Sequence, residues 1–186
     1  MKFIETKLSG SYIIEIDKMM DERGFFGRSW CAKEMEQHGL KGNIAQINTS
    51  RSKNKGTLRG LHYQVAPYQE CKMIRCTKGA IFDVIVDLRP DSPTFLQWFG
   101  TELTEDNHKA LYSPEGFAQG FITLEDNTEI TYLTNQSYVP GYDWGVRWND
   151  PQIKIELPID VISIADKDKN WPDFTKAYLD NQNPRK

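Results

Sequence analysis

Short strand-like segments, separated by turn residues, recur along the whole chain and constrain its fold more than any other feature. Turn-forming residues punctuate the chain at 78–80, 89–93, 113–116 and 139–143. This pattern predicts a mainly β fold, a sandwich or barrel such as a double-sheet jelly roll. The segments richest in β-branched or aromatic residues are SYIIEI (11–16), AIFDVIVDL (80–88), EITYLT (129–134) and IKIEL (153–157).

Helical signals are few, and nothing divides the chain. CAKEMEQHG (31–39) ends on a glycine suited to a helix C-cap, and a weaker helical pattern spans 171–180. A doubly wound α/β fold needs helices between its strands, so this pattern argues against it. Because no repeat or Pro/Gly-rich linker interrupts the sequence, we predict one domain over residues 1–186. In 80–88, Phe82, Val84, Val86 and Leu88 are predicted on one face, and Ile81, Asp83, Ile85 and Asp87 on the other.

The overall composition narrows the partners and the compartment. A net charge of −3 offers no basic surplus for nucleic acid, although a local pocket for one small anion remains possible. The N-terminus lacks a long apolar run and no later run approaches a membrane span, so we expect no membrane partner. Cys31, Cys71 and Cys76 form no CxxC pair, which favours a reduced, cytoplasmic setting.

Polar and cationic residues concentrate between residues 42 and 76. Among apolar strand residues they are costly unless they are paired or line a cavity. A solvated sheet face accounts for any one of them, but a polar cavity inside the barrel accounts better for the whole set. The residues concerned are Gln46, Asn48, Arg59, His62, Lys72 and Arg75.

His62 has three readings: core residue, metal ligand or general base. A metal site needs three or four ligands, but His62 has no HxH partner, and Gln119 stands in the loop where metal-binding barrels often supply another histidine. We therefore predict no metal. As a base, His62 needs an orienting carboxylate, which Asp166 or Asp168 offers, and Tyr132 or Tyr138 offers a phenol as proton donor. Each tyrosine taken alone is more typical of a strand aromatic that packs against its neighbours.

Long ordered motifs give the chain a resemblance to a known family. The chain resembles the nucleotide-sugar 3,5-epimerases over nearly its whole length. The resemblance implies a cupin-type jelly roll, with a homodimer in which the N-terminal strand crosses to the partner. It also implies a cofactor-free reaction of a nucleotide-linked 4-keto-6-deoxyhexose, inverted at C3 and C5 through an enolate. The motifs are DERGFFGRSW, AQINTSRSKNKGTLRGLHYQ, CKMIRCTKGAIFDVIVDLRPDSPTF, SPEGFAQGF, YVPGYDWGVRWNDP and DKD.

The resemblance also assigns roles to matching positions. His62 becomes the base, Asp168 the carboxylate that orients it, Tyr132 the acid on the other ring face, and Lys72 the group that stabilises the enolate oxygen. The guanidinium groups of two arginines suit the pyrophosphate oxygens. The residues implied in substrate binding are Arg23 and Arg59 at the pyrophosphate, with Gln46, Asn48, Tyr138, Asp143 and Lys167 at the sugar and nucleoside.

Two positions depart from the family pattern. Gln119 replaces a histidine expected to touch the substrate, and Arg28 stands where the family commonly has a glutamate near the nucleotide. Neither changes the proton-transfer set, but both bear on which base and sugar are bound and on which carbons are inverted. A 3-only or 5-only epimerase, a non-catalytic sugar-binding jelly roll and a metal-dependent cupin remain as alternatives.

The spacing of Arg59 and His62 raises a geometric question. In a regular strand, residues an odd number apart point to opposite faces. Both side chains reach one site if Gly60 marks a β-bulge, or if the substrate spans a strand edge, and we predict the bulge.

Overall fold

The computed structural model describes residues 1–180 and 182. Within these residues the chain is mainly β, with three short helices, as the strand and turn pattern predicts. The first strands are β1 (Lys2–Glu5), β2 (Tyr12–Glu15), β3 (Met19–Asp21), β4 (Gly24–Phe26), β5 (Gln46–Ser52), β6 (Thr57–Gln64) and β7 (Lys72–Lys78). The later strands are β8 (Ala80–Asp87), β9 (Trp98–Thr104), β10 (Ala110–Ser113), β11 (Phe117–Thr123), β12 (Thr128–Thr134), β13 (Asp143–Gly145) and β14 (Ser163–Ile164). The helices are α1 (Ala32–Gln37), α2 (Asp166–Lys169) and α3 (Lys176–Asp180).

Two sheets carry most of these strands. The first sheet has the order β1-β2-β10-β7-β12-β5, and the second has the order β13-β6-β11-β8-β9. Neighbouring strands in both orders are antiparallel, whereas β14 pairs in parallel with β6. Chain neighbours such as β11 and β12 lie in different sheets, so the chain crosses repeatedly between the two layers.

The two sheets pack face to face over an apolar core. Ile74 and Ile130 from the first sheet meet Ile81, Ile85 and other side chains from the second sheet. The opposite face of β8 packs Val84 and Val86 into a separate cluster on the outside of the second sheet. The two-faced pattern predicted for 80–88 is therefore confirmed, because both faces of this strand are covered.

The outer face of the second sheet is covered by chain that forms no strand. Ile153 and Ile155 are buried in the outer cluster, together with Phe174. The prediction of a strand over 153–157 is wrong: Lys154 has φ +56°, which breaks an extended run, and its carbonyl accepts from the Trp98 indole at 3.1 Å. The alternation in IKIEL reports alternating burial rather than ladder pairing.

The two predicted helical segments have different outcomes. The first, 31–39, is confirmed as α1, which is followed by Gly39 at φ +71° and packs Met35 on the first sheet. In the second, 171–180, only α3 is helical. The Phe174 amide donates to Asp150 at 2.7 Å instead of to a helical carbonyl, and Thr175 then accepts from the Tyr178 amide at the start of the helix.

Strands β3 and β4 form a separate two-stranded ribbon. Its apolar side chains are strongly exposed, with Met19 at 61%, Met20 at 70% and Phe26 at 71%. A two-stranded ribbon with an exposed apolar surface is marginal by itself in water. In the described part of the chain, no helix is long and apolar enough to cross a membrane.

Candidate active site

A polar cavity of about 300 Å³ opens beside the inner core, between the two sheets. Ile74, Phe121 and Ile130 belong both to the core and to the cavity lining. The predicted polar cavity is therefore present in the structure, and it draws on β5, β7 and β12 of one sheet and on β6 and β11 of the other. Arg75, predicted with this set, does not line the cavity and donates instead to the His108 carbonyl. The predicted site residues that line the cavity are Gln46, Asn48, Arg59, His62, Lys72, Gln119, Tyr132, Tyr138, Asp143 and Lys167.

His62 and Asp168 form a hydrogen-bonded pair at the second sheet. His62 Nε2 lies 2.6 Å from Asp168 Oδ1, and the Gly60 amide donates to Oδ2 at 3.1 Å. Burial raises the pKa of the Asp168 carboxyl, but the bonds from His62 and Gly60 and the charge of Lys167 together hold that pKa below its usual value. The ionised carboxylate places the proton of a neutral imidazole on Nε2, which leaves Nδ1 as the basic nitrogen.

The predicted bulge lies at Gly60. Gln119 on β11 pairs with His62, whereas Phe121 pairs with Arg59. Between these two pairs β6 advances by three residues and β11 by two, so β6 contains one extra residue. Gly60 has φ +107°, and a Cβ atom there would lie 2.7 Å from the Gly120 Cα atom. Only glycine fits this approach, and the extra residue brings the side chains of Arg59 and His62 to the same cavity.

The first sheet forms the opposite wall. Tyr132 on β12 and Lys72 at the start of β7 face the cavity from strands that are hydrogen-bonded neighbours. Burial raises the pKa of the Tyr132 phenol, and the charge of Glu70 raises it further against the opposing charge of Arg59. The phenol is therefore protonated at neutral pH and can act as a proton donor. His62 comes from the other sheet, so this phenol and the His62 imidazole line the cavity from two different walls.

Glu70 is a cavity residue that sequence reasoning missed. Its Oε1 lies 2.8 Å from Lys72 Nζ, and the two side chains are 9% and 12% exposed. The available signal was its position: two residues before Lys72 on an extended segment, it shares the face of that lysine.

Gln119 belongs to a buried polar chain below the cavity. Ser113 donates to its Oε1 at 2.6 Å, and its Nε2 donates to Asp83 at 2.7 Å. Burial raises the pKa of Asp83 to about 8, although the bonds from Gln119 and the Val84 amide and the charge of Lys72 act in the opposite direction. The glutamine thus serves as a neutral bridge where a histidine would carry a titratable ring.

Four of the predicted lining residues form the polar rim of the cavity: Gln46, Tyr138, Asp143 and Lys167. Gln46 accepts from the Tyr138 amide through its side-chain oxygen, and Tyr138 itself is 56% exposed. Lys167 pairs with Asp143, and its ammonium lies 5.6 Å from the centre of the Trp171 ring. The rim therefore offers amide, phenol and ammonium groups to an extended polar ligand.

Arg23 and Arg28 are not brought to the cavity of this chain. Arg23 lies at the turn of the β3–β4 ribbon, with its side chain 84% exposed and 2.5 Å from Asp21. Arg28 pairs with Glu34 at 2.6 Å. Across residues 1–180 and 182, no three His, Cys, Asp or Glu side chains are grouped closely enough to hold a metal ion.

The fold and the cavity together define a class of enzyme. An imidazole on one wall and a phenol on the other are groups that an isomerase can use to move protons to and from a bound molecule. The cationic Lys72 and Arg59 suit a substrate that carries or develops negative charge.

Comparisons with known proteins identify the family. The family model described as dTDP-4-dehydrorhamnose 3,5-epimerase matches residues 5–176. A protein of that name from Shigella flexneri is 43% identical over 178 residues, which is 95% of this chain and 98% of the relative. The chain therefore belongs to the dTDP-4-dehydrorhamnose 3,5-epimerase family and is an isomerase of the epimerase type.

Solved structures agree with this assignment. The dTDP-4-dehydrorhamnose 3,5-epimerase from Bacillus anthracis, solved with TDP and PPi bound, has a TM-score of 0.89 and 43% identity over 93% of this chain and 99% of that chain. The dTDP-6-deoxy-D-glucose-3,5-epimerase from Legionella pneumophila, in complex with dTDP-4-keto-L-rhamnose, has a TM-score of 0.88 and 35% identity over 100% and 98%. The fold is accordingly the cupin-like jelly roll that the resemblance implied.

Proposed function

We propose that the chain inverts C3 and C5 of dTDP-4-dehydro-6-deoxy-D-glucose and forms dTDP-4-dehydro-L-rhamnose without a cofactor. The observation that carries this proposal is the His62–Asp168 pair on one sheet, opposite Tyr132 and Lys72 on the other. Family membership supports the substrate, because the relatives bear the name of this reaction and one was solved with its product-type sugar nucleotide.

The chemistry follows from the C4 ketone, which acidifies the hydrogens at C3 and C5. His62 takes one of these protons, and the electron pair left on carbon becomes the C=C bond of an enolate. Lys72 stabilises the negative oxygen, a charge that exists only once the proton has left. Tyr132 then protonates the carbon from the opposite face, so the configuration inverts. His62 releases its proton to solvent and Tyr132 regains one from solvent, and a second cycle at the other carbon completes the reaction.

The diphosphate and nucleoside engage the polar rim. Arg59 donates from Nε to Ser52 at 3.1 Å and from Nη2 to the Arg51 carbonyl at 3.3 Å, which holds the guanidinium in place and leaves Nη1 for a contact with phosphate. Gln46, Asn48, Tyr138, Asp143 and Lys167 complete the contacts with the nucleoside and the sugar, and Gln119 borders the sugar from the cavity floor.

We also propose a cytoplasmic homodimer in which the β3–β4 ribbon packs on a second copy. The exposed Met19, Met20 and Phe26 supply the apolar surface, and the free cysteines are consistent with a reduced compartment. In this arrangement Arg23 reaches the cavity of the partner rather than its own. Arg28 follows the ribbon closely in the chain, and in this arrangement it contacts the nucleotide that is bound in the partner's cavity.

Mixing two inactive variants tests this exchange. Arg23→Ala and His62→Ala are each expected to have low activity, but hybrid dimers contain one cavity with both residues intact. Activity that reappears after the two are unfolded and refolded together supports the exchanged arrangement. A mixture no more active than its components would contradict it, as would a monomeric mass in sedimentation analysis.

The reaction itself is tested with matched substrates. The purified protein is incubated in D2O with dTDP-, GDP- and CDP-linked 4-keto-6-deoxyhexoses, and the sugar is followed by NMR. We expect inversion and deuterium at both C3 and C5 with the dTDP substrate. Exchange at one carbon alone would identify a 3-only or 5-only epimerase. If folded protein catalyses no exchange, the result would favour the alternative of a non-catalytic sugar-binding jelly roll.

A further inference from the structure

Glu70 is a partly buried carboxylate, with its side chain 9% exposed, that is held from two sides. Its Oε1 lies 2.8 Å from Lys72 Nζ, and its Oε2 accepts from Gln64 Nε2 at 3.1 Å. Gln64 is 2% exposed, and its side-chain oxygen accepts from the Val139 amide at 2.7 Å, which fixes the orientation of its amide group. These hydrogen bonds fix the position of the Glu70 carboxylate, which can therefore fix the position of the group that it pairs with.

The partner that Glu70 holds is the cation assigned to the enolate. Lysine has a flexible four-carbon stem and three donor hydrogens, so its ammonium needs fixed acceptors to stay in one place. Lys72 Nζ has two of them, Glu70 and the His62 carbonyl oxygen at 3.0 Å. The remaining hydrogen is available for an oxygen in the cavity, and its direction is set by the other two bonds.

Glu70 also acts on the phenol of Tyr132. Two charged groups act on this phenol, Glu70 from the loop before β7 and Arg59 from β6. The other charged or titratable side chains of the cavity lining are His62, Lys72, Asp143 and Lys167. The neighbouring β5 contributes the uncharged side chains Gln46, Asn48 and Ser50. After burial, the charge of Glu70 is the larger of the charge effects on the pKa of Tyr132, and it raises this pKa, whereas Arg59 lowers it.

We propose that Glu70 is a positioning residue for both groups that handle the enolate: it fixes the Lys72 ammonium and places a negative charge beside the Tyr132 phenol. This inference rests on the proposed roles of Lys72 and Tyr132. Glu70 touches neither the sugar nor the transferred proton. Its effect reaches the reaction through the direction of one N–H bond and the charge beside one O–H group.

The test compares Glu70→Gln, Glu70→Asp and the control Glu15→Gln. Glu15 also pairs with a lysine, Lys109 at 3.4 Å, but lies on β2 outside the cavity. Glu70→Gln keeps the size of the side chain and removes its charge, whereas Glu70→Asp keeps the charge and shortens the reach. The first measurement is kcat and KM across pH. The second is an ultraviolet titration of tyrosinate absorbance. Each protein is titrated with and without the added substitution Tyr132→Phe, and the difference between the two curves reports Tyr132.

We expect Glu70→Gln to lower kcat about tenfold to a hundredfold with KM nearly unchanged. Its alkaline limb of kcat and its Tyr132 titration should both move to lower pH, because the phenol has lost the neighbouring anion. Glu70→Asp should lower kcat less and leave the alkaline limb near that of the wild type. Glu15→Gln should match the wild type throughout.

Two results would overturn the proposal. One is a Glu70→Gln enzyme with wild-type kcat; the other is a lower kcat with an unmoved Tyr132 titration, which marks a purely structural ion pair. If Glu70→Gln does not fold, a Glu70→Asp enzyme with wild-type kcat overturns the positioning role by itself. The tyrosinate titration needs no substrate, so failure of the proposed function would appear separately, as a wild-type protein that exchanges no deuterium.

Discussion

Two buried aspartates of strand β8 show how differently the two ends of the sandwich treat a carboxyl group. Asp83 and Asp87 lie four residues apart on the same face of β8, and neither has exposed surface. At the closed end of the sandwich, Asp87 accepts from Arg89 Nη2 at 2.7 Å, from Ser92 at 2.5 Å and from Thr94 at 2.7 Å. At the cavity end, Gln119 is the side chain that donates to Asp83.

Their protonation follows from this difference. Burial alone raises the pKa of each carboxyl, but at Asp87 the donors from Arg89, Ser92 and Thr94 reverse the effect and lower it. At Asp83 burial prevails, and the pKa rises to about 8. At the closed end, the hydrogen bonds to Asp87 stabilise its charge and hold the loop after β8. At the cavity end, polar groups are incompletely paired, as is typical of a site that must receive a ligand.

The largest effect is expected from substitutions at the cavity end, and it should lower the reaction rate rather than the stability of the fold. His62→Ala should lower kcat by about 10²–10⁴-fold, because the proton loses its acceptor. Asp168→Asn should act in the same direction, because an amide no longer favours the imidazole tautomer with a basic Nδ1. Steady-state kinetics and thermal unfolding are measured together. A variant that keeps its activity, or one that loses it only through unfolding, would break the distinction between the two ends.

The next effect belongs to the closed end and should have the opposite character. Asp87→Ala removes the acceptor of Arg89, Ser92 and Thr94, and should lower the free energy of unfolding by about 2–4 kcal/mol. The folded fraction should retain its kcat. Denaturant titration measures this, with Asp91→Ala at an exposed position in the same turn as the control. Equal losses for Asp87→Ala and Asp91→Ala would contradict a structural role for the network.

A smaller effect separates binding from chemistry within the cavity end. Arg59→Ala should raise KM about tenfold or more with little change in kcat, because the phosphate contact is alike in the ground and transition states. Arg51 on β5 is exposed and bonds Asn127, so Arg51→Ala is the matched control. A fall in kcat without a rise in KM would place Arg59 in the chemical step instead.

The smallest effect is a pH dependence of stability. The native Asp83 carboxyl keeps its proton up to about pH 8, whereas the unfolded one, near 3.8, loses it much earlier. The native state therefore binds more protons in this window, and its stability from this group falls as pH rises through it, by about 1 kcal/mol between pH 7 and 8. Asp83→Asn should flatten that slope in denaturant titrations at several pH values. An unchanged slope would show that Asp83 is ionised in the native protein.

Much of this architecture follows from the sequence, because strand pattern and turn residues act locally. The strands at 11–16, 80–88 and 129–134 formed where the pattern indicated, and the odd spacing of Arg59 and His62 predicted the bulge. The failure at 153–157 has a physical reason. Alternating apolar residues report alternating burial, and burial under an irregular segment gives the same pattern as burial in a sheet.

The site was harder to predict where partners lie far apart in the chain. The position of Glu70 depends on its hydrogen bond with Gln64 and on the two cavity walls around it, and these contacts exist only after the sheets have formed. Arg23 shows the converse: its residue type suits phosphate, but the fold places it on an exposed ribbon away from its own cavity. The local spacing from Lys72 indicates the face on which Glu70 lies, but neither its bond with Gln64 nor the exposure of Arg23 is encoded in local sequence.

The most direct test of the account follows the proton through each wall separately. Wild type, Tyr132→Phe and His62→Ala are compared in D2O with the dTDP-4-keto sugar, and NMR reports both deuterium content and configuration at C3 and C5. We predict deuterium with inversion in the wild type, deuterium with the original configuration in Tyr132→Phe, and neither in His62→Ala. Inversion by Tyr132→Phe at the wild-type rate, or exchange catalysed by His62→Ala, would contradict a base and an acid placed on opposite walls.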